Sequence, residues 1–336
     1  MRINTIKLKD IAKALGVSIS TVSRALKDHP DVKPETIKAA KELAELLHYK
    51  PDTNALSLRN RKSKIIGYIT PEISSFFFPS VLKGIEEITD KKGYSVMILQ
   101  SNESYEKEVD CTETLLANNV DGLIISVTKE TKIFHHFVMA KSGGVPIVFI
   151  DKVPTEYVGD KISVDGEDGT FKAVEYLINK GYSRIAIGLG NQNISISKNR
   201  LNGYLRAFKK YNMPVNENYI YNSDNTEEAE FLTNKLLELP SPPDAIFSIS
   251  DQVVAGVMIA INKKMLKIPE QIAVLSFGDE PFCYMFNPPL TTVTPLGYEL
   301  GKECAQLLID RIESNETDYT PIVKKLKTEL IIRKST

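Results

Sequence analysis

Residues 8–26 read LKDIAKALGVSISTVSRAL. Leu8, Ile11, Ala12 and Leu15 recur at the spacing of one helical face, so residues 8–15 predict a short amphipathic helix. Asp10 lies in its first turn, where a carboxylate suits the positive end of the helix dipole. Gly16 supplies a turn, and Ser18 is a natural N-cap for a second helix. Val17 and Val22 occupy the two positions of a hydrophobic staple. Val22 and Leu26 then face inward, which leaves Ile19, Ser20, Thr21, Ser23 and Arg24 outward. A third helix opens on Pro34, whose missing N–H costs nothing there, and carries the apolar stripe Ile37, Ala40, Leu43, Ala44 and Leu47. A short polar helix entered through a glycine turn fits a DNA major groove. Arg24 can donate twice to a guanine, whereas Ser18, Thr21 and Ser23 suit phosphates, which fix register rather than sequence. Taken alone, these residues also allow a three-helix scaffold with no nucleic-acid role.

Charge favours the first reading. The chain has 336 residues and a formal net charge of −1, but residues 1–64 carry 14 basic and 7 acidic side chains, so the remainder is acidic. A basic head on an acidic body places the polyanion contact at the head. The cysteines Cys111, Cys283 and Cys304 are odd in number and widely spaced, which predicts reduced thiols and a cytoplasmic protein. The N-terminus lacks the apolar core of an export signal, and no apolar run is long enough to span a bilayer.

Beyond the head the pattern changes. Residues 51–63, PDTNALSLRNRKS, read as a polar connector. From Ile65 onward, apolar runs alternate with amphipathic segments. Strands are predicted at 65–70, 94–100, 121–127, 146–150, 184–190, 245–250 and 272–277, with helices near 79–92, 105–118, 168–180, 197–211, 226–238 and 252–264. Such alternation predicts parallel, doubly wound sheets, and about 270 residues predict two lobes rather than one. Ligands in such sheets bind beyond the carboxyl ends of the strands. The loops there carry Phe77 and Phe78, Asp151, Arg200, Asp251, and Gly278 with Asp279. Carboxylates and an arginine for hydroxyls, with aromatic faces for C–H surface, suit a sugar; a purine would use the same residue types.

The stretch 8–26 closely resembles the head of the LacI/GalR family of bacterial transcription regulators, whose pattern runs D-(V/I)-A-x-x-(A/L)-G-V-S-x-x-T-V-S-R-x-L. The resemblance implies that Ile19 and Ser20 choose operator bases and that Arg24 reads a base. Lys7 stands where the family has a capping Thr, and Lys27 where an Asn is frequent, at a phosphate contact. Tyr49-Lys50-Pro51 followed by NALSLR resembles the family's hinge, a helix formed on DNA that enters the minor groove. By that resemblance Leu58 is the wedge between base pairs and Arg59 a groove or phosphate contact. The body resembles the family's periplasmic-binding-protein-like domain through IGYITPEISSFFFPSVLKGIE (66–86), NNVDGLII (118–125), ISVDGEDGTFKAVEYLINKGYSRIAI (162–187), RLNGYLRAF (200–208), PDAIFSISDQVVAGVMIAI (243–261) and PPLTTVTPLGYELGKECAQLLIDRI (288–312). It implies that Arg200, Asp151 and Phe78 contact an effector and that Asp251 closes or orients the site. One departure stands out: Gly278 replaces a frequent Asp, which leaves the carboxylate role to Asp279.

The expected architecture is therefore a small all-α helix-turn-helix head plus an α/β two-lobed domain with two parallel doubly wound sheets. Residues 1–50 form the head and 51–63 the hinge. The effector domain runs over 64–336, with one lobe from 64–163 and 294–322 and the other from 164–293 and 323–336. The expected function is a sequence-specific regulator, a repressor by family habit, working as a homodimer on a palindromic double-stranded operator and modulated by a carbohydrate. No appended heptad segment follows the body, so a dimer is the simplest assembly. A sugar-transport binding protein shares the body's fold but would carry an export signal and no basic head. No catalytic motif, metal-ligand spacing or complete dinucleotide fingerprint is present, and no cofactor is expected.

Overall fold

The computed structural model describes residues 6–47, 49, 62–73, 77–190, 195–223, 225–314 and 319–336. The chain divides into two units, residues up to Lys64 and residues from Ile65.

The head holds three helices: α1 (Leu8–Leu15), α2 (Ile19–Ala25) and α3 (Pro34–Leu46). Ile11, Ala12 and Val22 are buried together, with Leu8, Leu15, Val17, Leu43, Ala44 and Leu47 packed around them. Ile37 joins a second cluster built on Ala25, Val32 and Ala40. Gly16 ends α1 in the left-handed region, at φ 64°, a conformation glycine adopts at no steric cost.

The body contains two six-stranded sheets. The first sheet is built from β1 (Ile65–Thr70), β2 (Ser95–Gln100), β3 (Gly122–Ile125), β4 (Ile147–Ile150), β5 (Asp160–Val164) and β11 (Val323–Leu326). Its order is β11-β5-β4-β3-β1-β2, parallel throughout. α4 (Phe77–Lys92), α5 (Tyr105–Ala117), α6 (His135–Ser142) and α12 (Gly297–Glu313) pack on it. The second sheet contains β6 (Ile185–Leu189), β7 (Ile220–Asn222), β8 (Ala245–Ser248), β9 (Ala273–Phe277), β10 (Thr291–Thr294) and β12 (Glu329–Ile331). Its order is β12-β10-β9-β8-β6-β7, with β12 antiparallel to β10. α7 (Gly166–Asn179), α8 (Ser195–Lys210), α9 (Thr226–Leu237), α10 (Asp251–Lys263) and the short α11 (Pro281–Met285) cover it. Continuous apolar runs such as IVFI and AVLSF become inner strands buried on both faces, as parallel sheets require.

The seven strands and six body helices predicted from the sequence are present. Strands β5, β7, β10, β11 and β12 and helices α6, α11 and α12 lie outside those spans. One lobe boundary needs correction. Residues 323–326 lie in the first sheet, paired in parallel with 161–164, and the chain passes to the second sheet only at 327–328. The sequence VKKL hides this because an outer strand can be polar, and here three of its four residues are exposed. Its position is fixed instead by Asp160, fully buried at the start of β5. That carboxylate accepts bonds from Arg311 Nε at 3.0 Å, from Arg311 Nη2 at 3.1 Å and from the Ile322 amide at 2.7 Å. Replacing Asp160 with Ala strands a guanidinium that is only 13% exposed. Loss of one partner of such a pair costs about 3 kcal/mol. We expect Asp160→Ala to lower the melting temperature of the full chain by several degrees; an unchanged melting curve would show that β11 is held by something else.

Candidate functional site

In the head, Ser18 caps α2: its Oγ accepts from the Thr21 amide at 3.1 Å and lies 2.7 Å from Ser20 Oγ and 2.8 Å from Thr21 Oγ1. Ile19, Ser20 and Arg24 are exposed, Ile19 to 52%, and Thr21 and Ser23 are half-buried. Lys27 is exposed just past the helix end. The outward face of α2 therefore presents one apolar side chain among hydroxyls and a guanidinium. α1 starts without a side-chain cap at Lys7, and Asp10 compensates by accepting the Lys7 amide at 2.8 Å. Leu58 and Arg59 lie outside the described residues.

In the body, a cleft of about 850 Å³, open mouth included, lies between the carboxyl ends of the two sheets. Phe77, Phe78, Asp151, Arg200 and Asp251 all line it, together with Glu72, Lys152, Phe277 and Glu280. Phe77 and Phe78 meet edge to face, with ring centroids 5.3 Å apart. Phe78 is 6% exposed, and Phe77 also packs on the core of the first sheet. The two rings thus serve core and cleft at once.

Arg200 projects from α8 across the Phe277 ring, with its guanidinium carbon 3.7 Å from the ring centroid. Nη1 donates to the Ile249 carbonyl, and Nε is buried without an acceptor. Burial lowers its pKa to about 10, with the Asp151 charge acting in the opposite sense. Asp151 follows β4 at φ 59°. Burial raises its pKa, against the pull of Lys152 and Arg200. The Lys152 ammonium is itself engaged by the Glu103 carboxylate. On the opposite wall, Ser250 caps α10 through the Val253 amide at 3.3 Å, which orients Asp251, and burial raises the Asp251 pKa.

Asp279 does not line the cleft. Its carboxylate accepts from Thr292 Oγ1 and lies 2.7 Å from an Arg333 nitrogen. The next residue, Glu280, faces the cleft instead. Gly278 explains the exchange, because its φ of 114° is a conformation that side-chain-bearing residues rarely adopt. Burial, then the Asp251 and Asp279 charges, push the Glu280 pKa up to about 7. Sequence reasoning missed Glu280 because the family turn drew attention to residues 278 and 279. A usable signal was present in the Glu-Pro pair 280–281, since proline at the first helical position fixes Glu280 as the residue before α11. Asp165 caps α7 through the Asp168 amide at 3.1 Å.

A model described as bacterial regulatory proteins of the lacI family matches residues 7–52, and a periplasmic binding protein-like domain matches residues 174–336. The "Probable HTH-type transcriptional regulator EndR" of Paenibacillus polymyxa is 32% identical over 329 residues, 97% of this chain and 96% of that protein. The chain belongs to the lacI family of bacterial regulatory proteins. Catabolite control protein A of Priestia megaterium is 30% identical over 98% of this chain and 99% of its own. The lac repressor dimer bound to operator and an anti-inducer superposes with a TM-score of 0.87 at 24% identity, covering 99% of both chains, which concerns the fold. As a lacI-family member the chain is a DNA-binding transcription regulator and not an enzyme. Among the described residues, no helix is long and apolar enough to cross a membrane and no group of side chains could hold a metal ion.

The cleft carboxylates make stability fall with pH. Because folding raises the Glu280 pKa, the folded state holds more protons than the unfolded chain between about pH 4.5 and 7. Stability therefore declines as pH rises through that window, and Asp151 and Asp251 act in the same direction. Glu280→Gln removes one such contribution. Melting curves at pH 5, 6, 7 and 8 should show the variant gaining on the parent as pH rises. A constant offset would mean that Glu280 keeps its ordinary proton affinity.

Proposed function

We propose that this lacI-family chain is a repressor, acting as a homodimer on a palindromic operator, whose DNA affinity is set by a small molecule bound in the body's cleft. The observation that carries the effector half is Arg200, a desolvated guanidinium with a free N–H in a cleft lined from both sheets. The relatives that share this full length include PurR of Actinobacillus pleuropneumoniae serotype 3, called a transcriptional repressor and 29% identical, which supports repression as the sign. Aromatic rings beside carboxylates and an arginine suit a sugar or sugar derivative.

In this reading Ile19, Ser20 and Arg24 meet base edges, while Ser18, Thr21, Ser23 and Lys27 meet phosphates. Leu58 would wedge the minor groove and Arg59 would contact it. Phe77, Phe78, Asp151, Arg200 and Asp251 hold the effector, with Glu280 taking the part first given to Asp279. The effector acts by linkage: preference for one arrangement of the two lobes changes operator affinity by a coupling of about 1–3 kcal/mol. A twofold dimer doubles the contacts and sets the half-site spacing.

Selection of random duplexes followed by gel shift at fixed salt tests the DNA half. A palindrome should emerge, and addition of sugars should change its retention. Arg24→Ala should cost about 1–3 kcal/mol and relax one position of each half-site. Lys27→Ala should weaken all sequences alike and shallow the salt dependence by about one unit per head. Enrichment of a non-repeated, asymmetric site would count against the dimer, and sugar-independent retention against the effector.

A further inference from the structure

Of the four carboxylates that line the cleft, Glu72, Asp151, Asp251 and Glu280, the last three differ in their surroundings. Asp151 has the Lys152 and Arg200 charges nearby. The charges that act on Glu280 are those of two other carboxylates, Asp251 and Asp279. Arg333 comes to Asp279, which points away, and Lys152 is taken by Glu103. Among the described residues, no lysine, arginine or histidine forms an ion pair with Asp251 or Glu280. Both are half-buried and Asp251 accepts the Gln252 amide at 2.9 Å, but neither has a cationic partner, so a ligand that brings the charge lowers the cost of covering them.

Among the described residues no group of three or more acidic, histidine or cysteine side chains is gathered to hold a bare metal ion. The same cleft offers Phe77 and Phe78 as apolar faces, and Arg200 Nε as a buried donor awaiting an acceptor oxygen. The ligand must therefore combine a cation, an acceptor oxygen and a C–H face. A neutral sugar lacks the first of these. A simple polyamine lacks the second.

We propose that the Asp251 and Glu280 wall of the cleft receives an ammonium group, so that the effector is an aminated carbohydrate rather than a neutral one. This inference rests on the reading of the cleft as an effector site. The ammonium sits between the two carboxylates, a sugar oxygen accepts from Arg200 Nε, and a ring face lies on the phenylalanines. The replacement of a frequent Asp by Gly278 belongs to the same design: it withdraws one carboxylate, Asp279, and brings Glu280 forward.

Calorimetric titration of the full chain at pH 7 tests this with matched pairs: glucosamine and glucose, galactosamine and galactose, mannosamine and mannose, each also against the N-acetylated form. At least one amine should bind about tenfold or more tightly than its neutral and acetylated counterparts, the size of one charge-assisted hydrogen bond. Glu280→Gln and Asp251→Asn should each shrink that preference. Melting curves check that the variants fold; if either does not, the comparison on the parent chain decides. A neutral or acetylated sugar that binds as tightly as its amine overturns the charge assignment and leaves the effector cleft intact. Binding of none of the nine compounds overturns the carbohydrate reading and this inference together.

Discussion

The body depends on a guanidinium and a carboxylate from different sheets sharing one desolvated space. Arg200 comes from α8 over the second sheet, and Asp151 from the end of β4 in the first. Neither is free to rearrange. Arg200 is pressed on the Phe277 ring and tied to the Ile249 carbonyl, and its aliphatic stem lies against Gly166, where an added Cβ would come within 3.3 Å of Arg200 Cγ. Asp151 sits at positive φ, with its amide bonded to the Ile162 carbonyl at 3.1 Å. Each charge relieves the other's desolvation only in part, as the shifts of both groups indicate. The cleft floor is therefore built with unmet hydrogen-bonding capacity, a condition in which a ligand gains more than it would on a solvated surface.

The head follows a different economy. Its core is small, and its helices are too short to persist alone. Local devices carry much of the burden: the Ser18 cap, the left-handed Gly16, Pro34 at the start of α3, and the ion pair of Lys41 with Asp28 at 2.7 Å. Most of these devices lie at the helix ends, which leaves the outward face of α2 exposed. Ile19, Ser20 and Arg24 can then vary in identity without changing the fold, as a sequence reader requires.

What the sequence disclosed follows from where chemistry and local periodicity coincide. The 3.6-residue spacing of Leu8, Ile11, Ala12 and Leu15 fixes α1, and uninterrupted runs such as PIVFI fix the buried strands. β11 was illegible because its pairing is specified by a residue 163 positions away from Val323, Asp160, and not by any apolar pattern of its own. The α12 segment is weakly marked as a helix in the sequence, since the small residues Gly297, Gly301 and Cys304 occupy much of its buried face. Close approach explains the middle one: a Cβ at Gly301 would lie 2.0 Å from the Val81 carbonyl. Of the cleft residues, Phe77, Phe78, Asp151, Arg200 and Asp251 were readable because each lies in the segment that leads on from the carboxyl end of a strand. Glu280 was not, because the choice between 279 and 280 is made by the backbone at Gly278, and a φ of 114° leaves no mark except the glycine itself.

The three passages of the chain between sheets, near residues 165, 295 and 327, give this arrangement its consequence. Residues that bind on one side of the cleft belong to a different sheet from those on the other, so ligand contacts bear on the relative arrangement of the two sheets. A ligand that contacted one wall alone would gain equally in every arrangement and would shift nothing, however tightly it bound. The Arg200 and Asp151 charges attract each other across the two walls, but among the described residues no ion pair joins them. A cation at Asp251 and Glu280 and an oxygen at Arg200 Nε act on the wall of the second sheet, and a ring face on Phe77 and Phe78 acts on the wall of the first. Binding energy is then drawn from both sides at once, which is the condition for turning occupancy of the cleft into a change of state.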